Sequence, residues 1–186
     1  MRILYTGYGS SQFGTEIKNQ NSYLDIFFAT KDDCNLLDRE SIDKFCEKHK
    51  HFDCIITGAN VSPGYLLSHF NVNSLTIPVN HLYLVSKLTG KPKYFINLTT
   101  GLLEYDDHFI YRSQKTFAED LYKRYFTINQ ETRMINFHPN HISDNDIRPK
   151  SVKIFLNLLS KIDTYTEYDY VAVPNHDLEN PINTRY

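Results

Sequence analysis

Six short apolar runs punctuate the chain: RILYTG (2–7), LDIFFAT (24–30), DCIITGA (53–59), KYFINLT (93–99), RMINFHP (133–139) and DYVAVP (169–174). Each is continuous rather than alternating, the pattern of strands covered on both faces, as in a parallel sheet. Helical periods lie between several of them. In DRESIDKFCEKHK (38–50), Asp38 is placed to cap the helix, with Leu37 and Ile42 forming a hydrophobic staple across it. In SVKIFLNLLSKI (151–162), Val152, Phe155, Leu156, Leu159 and Ile162 make one apolar stripe. Strands alternating with helices imply βαβ units with right-handed crossovers. The expectation is an α/β protein, doubly wound and Rossmann-like. It has a mostly parallel sheet of about six strands in a single domain over residues 1–186, with 175–186 as a polar, peripheral tail.

Open sheets of this kind bind ligands beyond the carboxyl ends of their strands. Gly7, Gly58, Thr100 and Pro139 all fall at or just after predicted strand ends. The segment TGYGSSQFG (6–14) follows the first run and opens the first predicted helix. Its glycines, with Ser10 and Ser11 between, suit a tight turn that lets backbone N–H groups approach a phosphate. Further on, Tyr111 and Lys115 stand four apart at the start of a helical segment. Such residues share a helix face, and taken alone they would suit an ordinary amphipathic helix.

Composition narrows the function classes. With 186 residues, 41% apolar and 23% charged, the chain is long enough for one well-cored domain and unlike a disordered segment. A formal net charge of −2 gives no whole-chain attraction to nucleic acid or anionic lipid. MRILYTG lacks the apolar core of a secretory signal, and no run is long enough to span a membrane. Three cysteines do not suggest a disulfide framework. A cytoplasmic protein without nucleic-acid or membrane partners is expected.

In ordered sequence, these segments resemble the short-chain dehydrogenase/reductase family. TGYGSSQFG resembles the family's three-glycine turn with one residue inserted and Gln12 at the middle glycine; the resemblance implies cofactor contacts from Gly7, Ser10, Ser11, Gln12 and Phe13. CNLLD (34–38) is similar to the adenine-flanking segment, implicating Asn35 and Leu36. ITGAN (56–60) resembles the Asn-Asn-Ala-Gly element, implicating Ala59 and Asn60. PVNHLYLVSKL (78–88) looks like the helix of the catalytic Asn, which falls on Asn80, and INLTTG (96–101) places Thr100 at the catalytic Ser. YRSQK (111–115) matches Tyr-x-x-x-Lys at Tyr111 and Lys115, and NFHPNHI (136–142) is similar to the nicotinamide-side segment, implicating Pro139 and Ile142. One strand–helix pair between IFFAT and CNLLD is missing or collapsed relative to the family.

The resemblance implies an NAD(P)-dependent oxidoreductase for a small carbonyl or alcohol. Tyr111 would exchange the alcohol proton, Thr100 would bind the carbonyl oxygen, Lys115 would hold the ribose, and Asn80 would support a water-linked proton path. Bringing a Tyr pKa from ~10 to near 7 needs about 4 kcal/mol. One cation at about 4 Å supplies ~4 kcal/mol at an effective dielectric of about 20. At the end of the second strand, FFATKDD offers Thr30 and Lys31 before any carboxylate, which favours NADP over NAD. A homodimer or homotetramer follows by likeness. Two rival readings stay open: a dinucleotide-binding regulator without turnover, and an NAD-linked sugar-nucleotide epimerase or dehydratase. No metal site is assigned. Cys46, His49, His51 and Cys54 are close in sequence, but the first two belong to a predicted helix and Cys54 opens a buried strand.

Overall fold

A computed structural model describes residues 1–9, 11–59, 72–99, 109–139, 148–165, 169–171 and 182–183, with residues 109–112, 169–171 and 182–183 described by backbone alone. The elements are β1 (Arg2–Thr6), α1 (Gln12–Gln20), β2 (Asp25–Ala29), α2 (Arg39–Lys48), β3 (Cys54–Thr57), α3 (Asn73–Lys87), β4 (Tyr94–Leu98), α4 (Phe109–Ile128), β5 (Arg133–His138), α5 (Arg148–Ser160), β6 (Asp169–Val171) and β7 (Ile182–Asn183). The strands form one sheet in the order β2-β1-β3-β4-β5-β6-β7. All neighbouring pairs from β2 to β6 are parallel, and β7 closes the far edge antiparallel to β6. Each of the six apolar runs is a strand. Within the segment 175–186, Ile182 and Asn183 pair with Val171 and Tyr170 at the edge of the sheet.

Strand side chains alternate between two cores. Ile3, Tyr5, Cys54, Ile56, Tyr94, Ile96, Ile135 and Phe137 pack with Phe13 and Ile17 of α1 and with α5. Leu4, Ile55, Phe95 and Met134 pack on the other face with α2, α3 and α4. Because both faces are covered, the sequence shows continuous apolar runs instead of alternation. The α5 stripe is buried as its spacing predicts, with Val152 and Phe155 fully inaccessible. The α2 cap also forms, its Asp38 carboxylate accepting from the Glu40 amide at 3.0 Å. The staple across it does not: Ile42 is buried while Leu37 is 41% exposed. Leu37 lies in a turn whose amide bonds to the Asn35 side chain at 3.1 Å, which fixes the chain locally without an apolar contact.

A doubly wound sheet ordinarily has a further strand beyond the neighbour of β1. Here β2 is the edge. The chain turns at once after Ala29, where the Asp33 carboxylate accepts from the Thr30 amide at 2.9 Å and from its hydroxyl at 2.7 Å.

On the α3/α4 face, the last layer below the strands' carboxyl ends is polar. Asn97 pairs in register with Thr57 and with Asn136, and Thr6 lies one residue beyond the Tyr5–Ile56 pair. These four side chains are buried, Asn136 fully. Thr57 donates to Asn97 at 3.2 Å, Asn97 to Asn136 at 3.0 Å, and Asn136 to Glu119 at 3.2 Å. Thr6 donates to the Ile56 carbonyl at 3.2 Å and meets His81 Nε2 at 2.9 Å, while His81 Nδ1 meets the Tyr122 hydroxyl at 3.0 Å. With the Thr6 proton committed to Ile56, Nε2 is the protonated nitrogen and Nδ1 accepts from Tyr122.

Burial, aided by the nearby Lys115 charge, holds His81 down to about 3 from its usual 6.5. The native state therefore keeps His81 neutral while the unfolded chain takes up a proton below pH 6.5, so its contribution is present above 6.5 and lost as pH falls toward 3. Urea denaturation at pH 7, 5.5 and 4.5 should show wild-type stability falling faster than that of His81→Gln. The difference in slope should approach one proton, about 1.4 kcal/mol per pH unit. Parallel slopes would contradict the neutral buried His81.

Candidate active site at the carboxyl ends of the strands

The β1–α1 turn is built for close approach. Gly7 has φ +73° and Gly9 φ +103°, conformations that strain any residue with a side chain. A Cβ at Gly7 would lie 2.2 Å from the Ala59 Cα, so the turn rests directly on the end of β3. Gly9 faces open space, where a Cβ would meet no atom within 4 Å. Ser11 caps α1 by accepting from the Gly14 amide at 3.0 Å, and its hydroxyl also meets the Tyr5 hydroxyl at 3.0 Å. A Cβ on Gly14 would collide with the Tyr5 ring at 2.8 Å, which makes this glycine the close-packing one between helix and strand. Gln12 and Phe13 begin α1, and helix geometry leaves their N–H groups without intrahelical acceptors. The exposed Gln12 therefore contributes an amide at the helix start rather than standing within the turn, and the Phe13 ring is core, packed on Phe155 at 5.7 Å. This cradle fits a phosphate group. Ser10 lies outside the described residues.

At the end of β2, Lys31 is exposed. Hydrogen bonds from the Thr30 hydroxyl and amide hold the Asp33 carboxyl below its ordinary range. Asn35 folds onto its own turn, accepting from Leu37, and Leu36 is buried in the α2/α3/α4 core. Asn80 donates to the Leu36 carbonyl at 2.7 Å and accepts from Arg39 Nε at 3.4 Å. The side chain expected to serve a proton path instead pins the α2 entry to α3. The Asn80 neighbour His81 is the residue of α3 that reaches the polar layer.

Lys115 projects from α4 onto the end of β4, donating to the Leu98 carbonyl at 3.2 Å. Burial lowers it from 10.5 to about 8. Beside it lies a cavity of about 20 Å³ whose walls include Thr57, Ala59, Ser74, Pro78, Asn97 and Gln114. The Tyr111 backbone lies in the first turn of α4, one helical turn before Lys115, with its side chain outside the described residues. Thr100, Asn60 and Ile142 also lie outside them, while Pro139 is buried directly after β5. The structure thus brings Gly7 and Ala59 together and sets Lys115 at the same end of the sheet, beside a cavity that Ala59 also lines. Sequence reasoning missed His81, Gln114 and Tyr122. The signal for His81 was a polar residue inside an apolar helical segment; Gln114 carried none beyond adjacency to Lys115. Cys46 and Cys54 belong to opposite cores, so the sheet separates them.

No family model and no curated protein matches the sequence. Solved structures do match. A small-chain dehydrogenase aligns at 11% identity and TM-score 0.65, covering 95% of this chain and 98% of that one. The chain shares its fold with that dehydrogenase. A short chain dehydrogenase from Burkholderia cenocepacia J2315 in complex with NADP aligns at 9% identity and TM-score 0.61 over 93% of this chain and 90% of that one. A GDP-mannoheptose C4 reductase from Campylobacter jejuni with NADP bound aligns at 13% identity and TM-score 0.59, with 75% of this chain covering 51% of that one. The chain thus spans about half the length of that GDP-sugar reductase.

A depressed Lys has a definite stability signature. Between about 8 and 10.5 the unfolded chain holds a proton that native Lys115 has lost, so native stability rises with pH across that window and the cost of the buried charge is felt in full below it. Denaturant titrations of wild type and Lys115→Met at pH 7.5, 9 and 10 should show wild type gaining on the variant as pH rises, by about 3 kcal/mol at the limit. A constant gap would contradict the burial of this ammonium.

Proposed function

We propose that the protein is an oxidoreductase of the short-chain dehydrogenase type, using NADP in preference to NAD on a small carbonyl or alcohol. The observation that carries this reading is Lys115, a half-buried cation fixed at the end of β4 one helical turn after Tyr111. The cofactor supplies or accepts a hydride when bound. Gly7, Gly9 and the amides of Gln12 and Phe13 hold its pyrophosphate against the α1 terminus. Tyr111 gives or takes the alcohol proton under the influence of the Lys115 charge, Lys115 hydrogen-bonds the ribose, and Thr100 bonds the carbonyl oxygen. Asn80 is a positioning residue for the α2–α3 junction.

The preference for NADP rests on the β2 terminus. Lys31 is exposed there, while one oxygen of the Asp33 carboxylate already accepts from the Thr30 amide and hydroxyl. Three buried free thiols fit a reducing, cytoplasmic compartment. Among the described residues no helix is long and apolar enough to cross a membrane. A homodimer or homotetramer through α3 and α4 belongs to the same reading, and Val79 at 40% and Phe117 at 39% exposure offer apolar contacts on those helices.

Fluorescence titration with NADPH and NADH tests the proposal. NADPH should bind more tightly, and Lys31→Glu should reverse or abolish the preference. Tyr111→Phe should retain binding while turnover on a panel of small carbonyls falls by roughly 10²–10⁴-fold. Binding without turnover in the wild type would instead favour a regulator of the same fold. Failure to bind either dinucleotide would overturn the proposal.

A further inference from the structure

Gln114 stands beside Lys115 on α4 and is only 6% exposed, yet among the described residues neither its side-chain oxygen nor its nitrogen has a hydrogen-bond partner. A buried amide left in that state pays its full desolvation cost with no hydrogen bond to offset it. The same side chain lines the cavity of about 20 Å³ shared with Lys115, Tyr122, Thr57 and Asn97. A water needs roughly 10–15 Å³ of such space and two to four polar partners, so the cavity of about 20 Å³ has room for one. Thr57 is already committed, donating to Asn97 and accepting from the Leu98 amide at 3.1 Å. Tyr122 uses one function of its hydroxyl on His81 and keeps another.

We propose that this cavity is a single-water site in which the water bridges the Gln114 amide and the Tyr122 hydroxyl and solvates the Lys115 ammonium, making Gln114 a positioning residue for that charge. Among the described residues, the titratable groups around Lys115 are His81 from α3 and Tyr122 from α4. Glu119, also on α4, is committed to Lys123 at 2.6 Å and to Asn136. The walls given by β3 and β4, Thr57 and Asn97, do not titrate. The water is therefore an adjustable dipole beside the ammonium, and removing it deepens the desolvation that already depresses Lys115.

The consequence for proton exchange rests on the oxidoreductase reading, but the site itself does not. The test is NMR titration of lysine labelled with ¹³C at Cε in the cofactor-free protein, with the Lys115 signal assigned by its absence in Lys115→Met. Gln114→Met, near-isosteric and apolar, should lower the Lys115 midpoint by about one pH unit, a tenfold change in proton affinity. Gln114→Glu should raise it by at least about one unit. Tyr122→Phe, which keeps the ring, should shift it in the same direction as Gln114→Met. A crystal structure of the wild type should place one ordered water between Gln114 and Tyr122. An unchanged Lys115 midpoint in all three variants, or a dry cavity, would overturn the proposal. Because no step needs a dinucleotide, a protein without reductase activity would still decide it.

Discussion

Burying a positive charge against the end of an apolar strand is the demand to which the rest of this structure responds. Lys115 reaches the Leu98 carbonyl from α4, half-buried beside a core that includes Phe95, Tyr122, Phe126 and Leu84. An ammonium in such surroundings is tolerated only where dipoles substitute for water. The sheet supplies them as one layer: Thr6, Thr57, Asn97 and Asn136 each sit where an apolar residue would pack, and each hydrogen-bonds its neighbour or the helix above. Below that layer Leu4, Ile55, Phe95 and Met134 restore an ordinary core. The change from apolar to polar within two residues of each strand marks where folding gives way to chemistry.

That layer also explains why His81 is neutral. A protonated imidazole would face Lys115 in the same buried space, so charge repulsion and burial act together to exclude the proton. Its two ring nitrogens instead join Thr6 to Tyr122, tying β1 to α4 through α3. At the other side of the site the constraint is steric. Gly7 and Ala59 are so close that β1 and β3 deliver their turns as one surface, with the start of α1 beside them.

The strands and their parallel arrangement were legible in the sequence, because continuous runs such as CIIT and YFINL carry the mark of two-sided burial. So was the placement of Gly7 and Ala59 just after strands, which the structure packs against each other. What escaped was governed by tertiary contacts. The spacing of Asn80 resembles a catalytic position, but its amide is consumed by the Leu36 carbonyl, a partner set by how the shortened β2–α2 connection returns to α3. Leu37 read as half of a staple, yet the Asn35 turn fixes the chain without it. His81 and Gln114 became visible only when the fold turned them inward, His81 against Thr6 and Tyr122 and Gln114 against Thr57 and Asn97, relations between segments that no local period encodes.

The central claim is that the carboxyl ends of β1, β3 and β4 hold a dinucleotide with Lys115 at its reactive end. Hydrogen exchange followed by mass spectrometry, with and without saturating NADPH, measures this directly. The account predicts slowed exchange in the segments around 5–15, 29–36, 56–59 and 113–118, with the amino ends of the strands unchanged. Protection confined to the opposite edge of the sheet, or no protection at all, would contradict it.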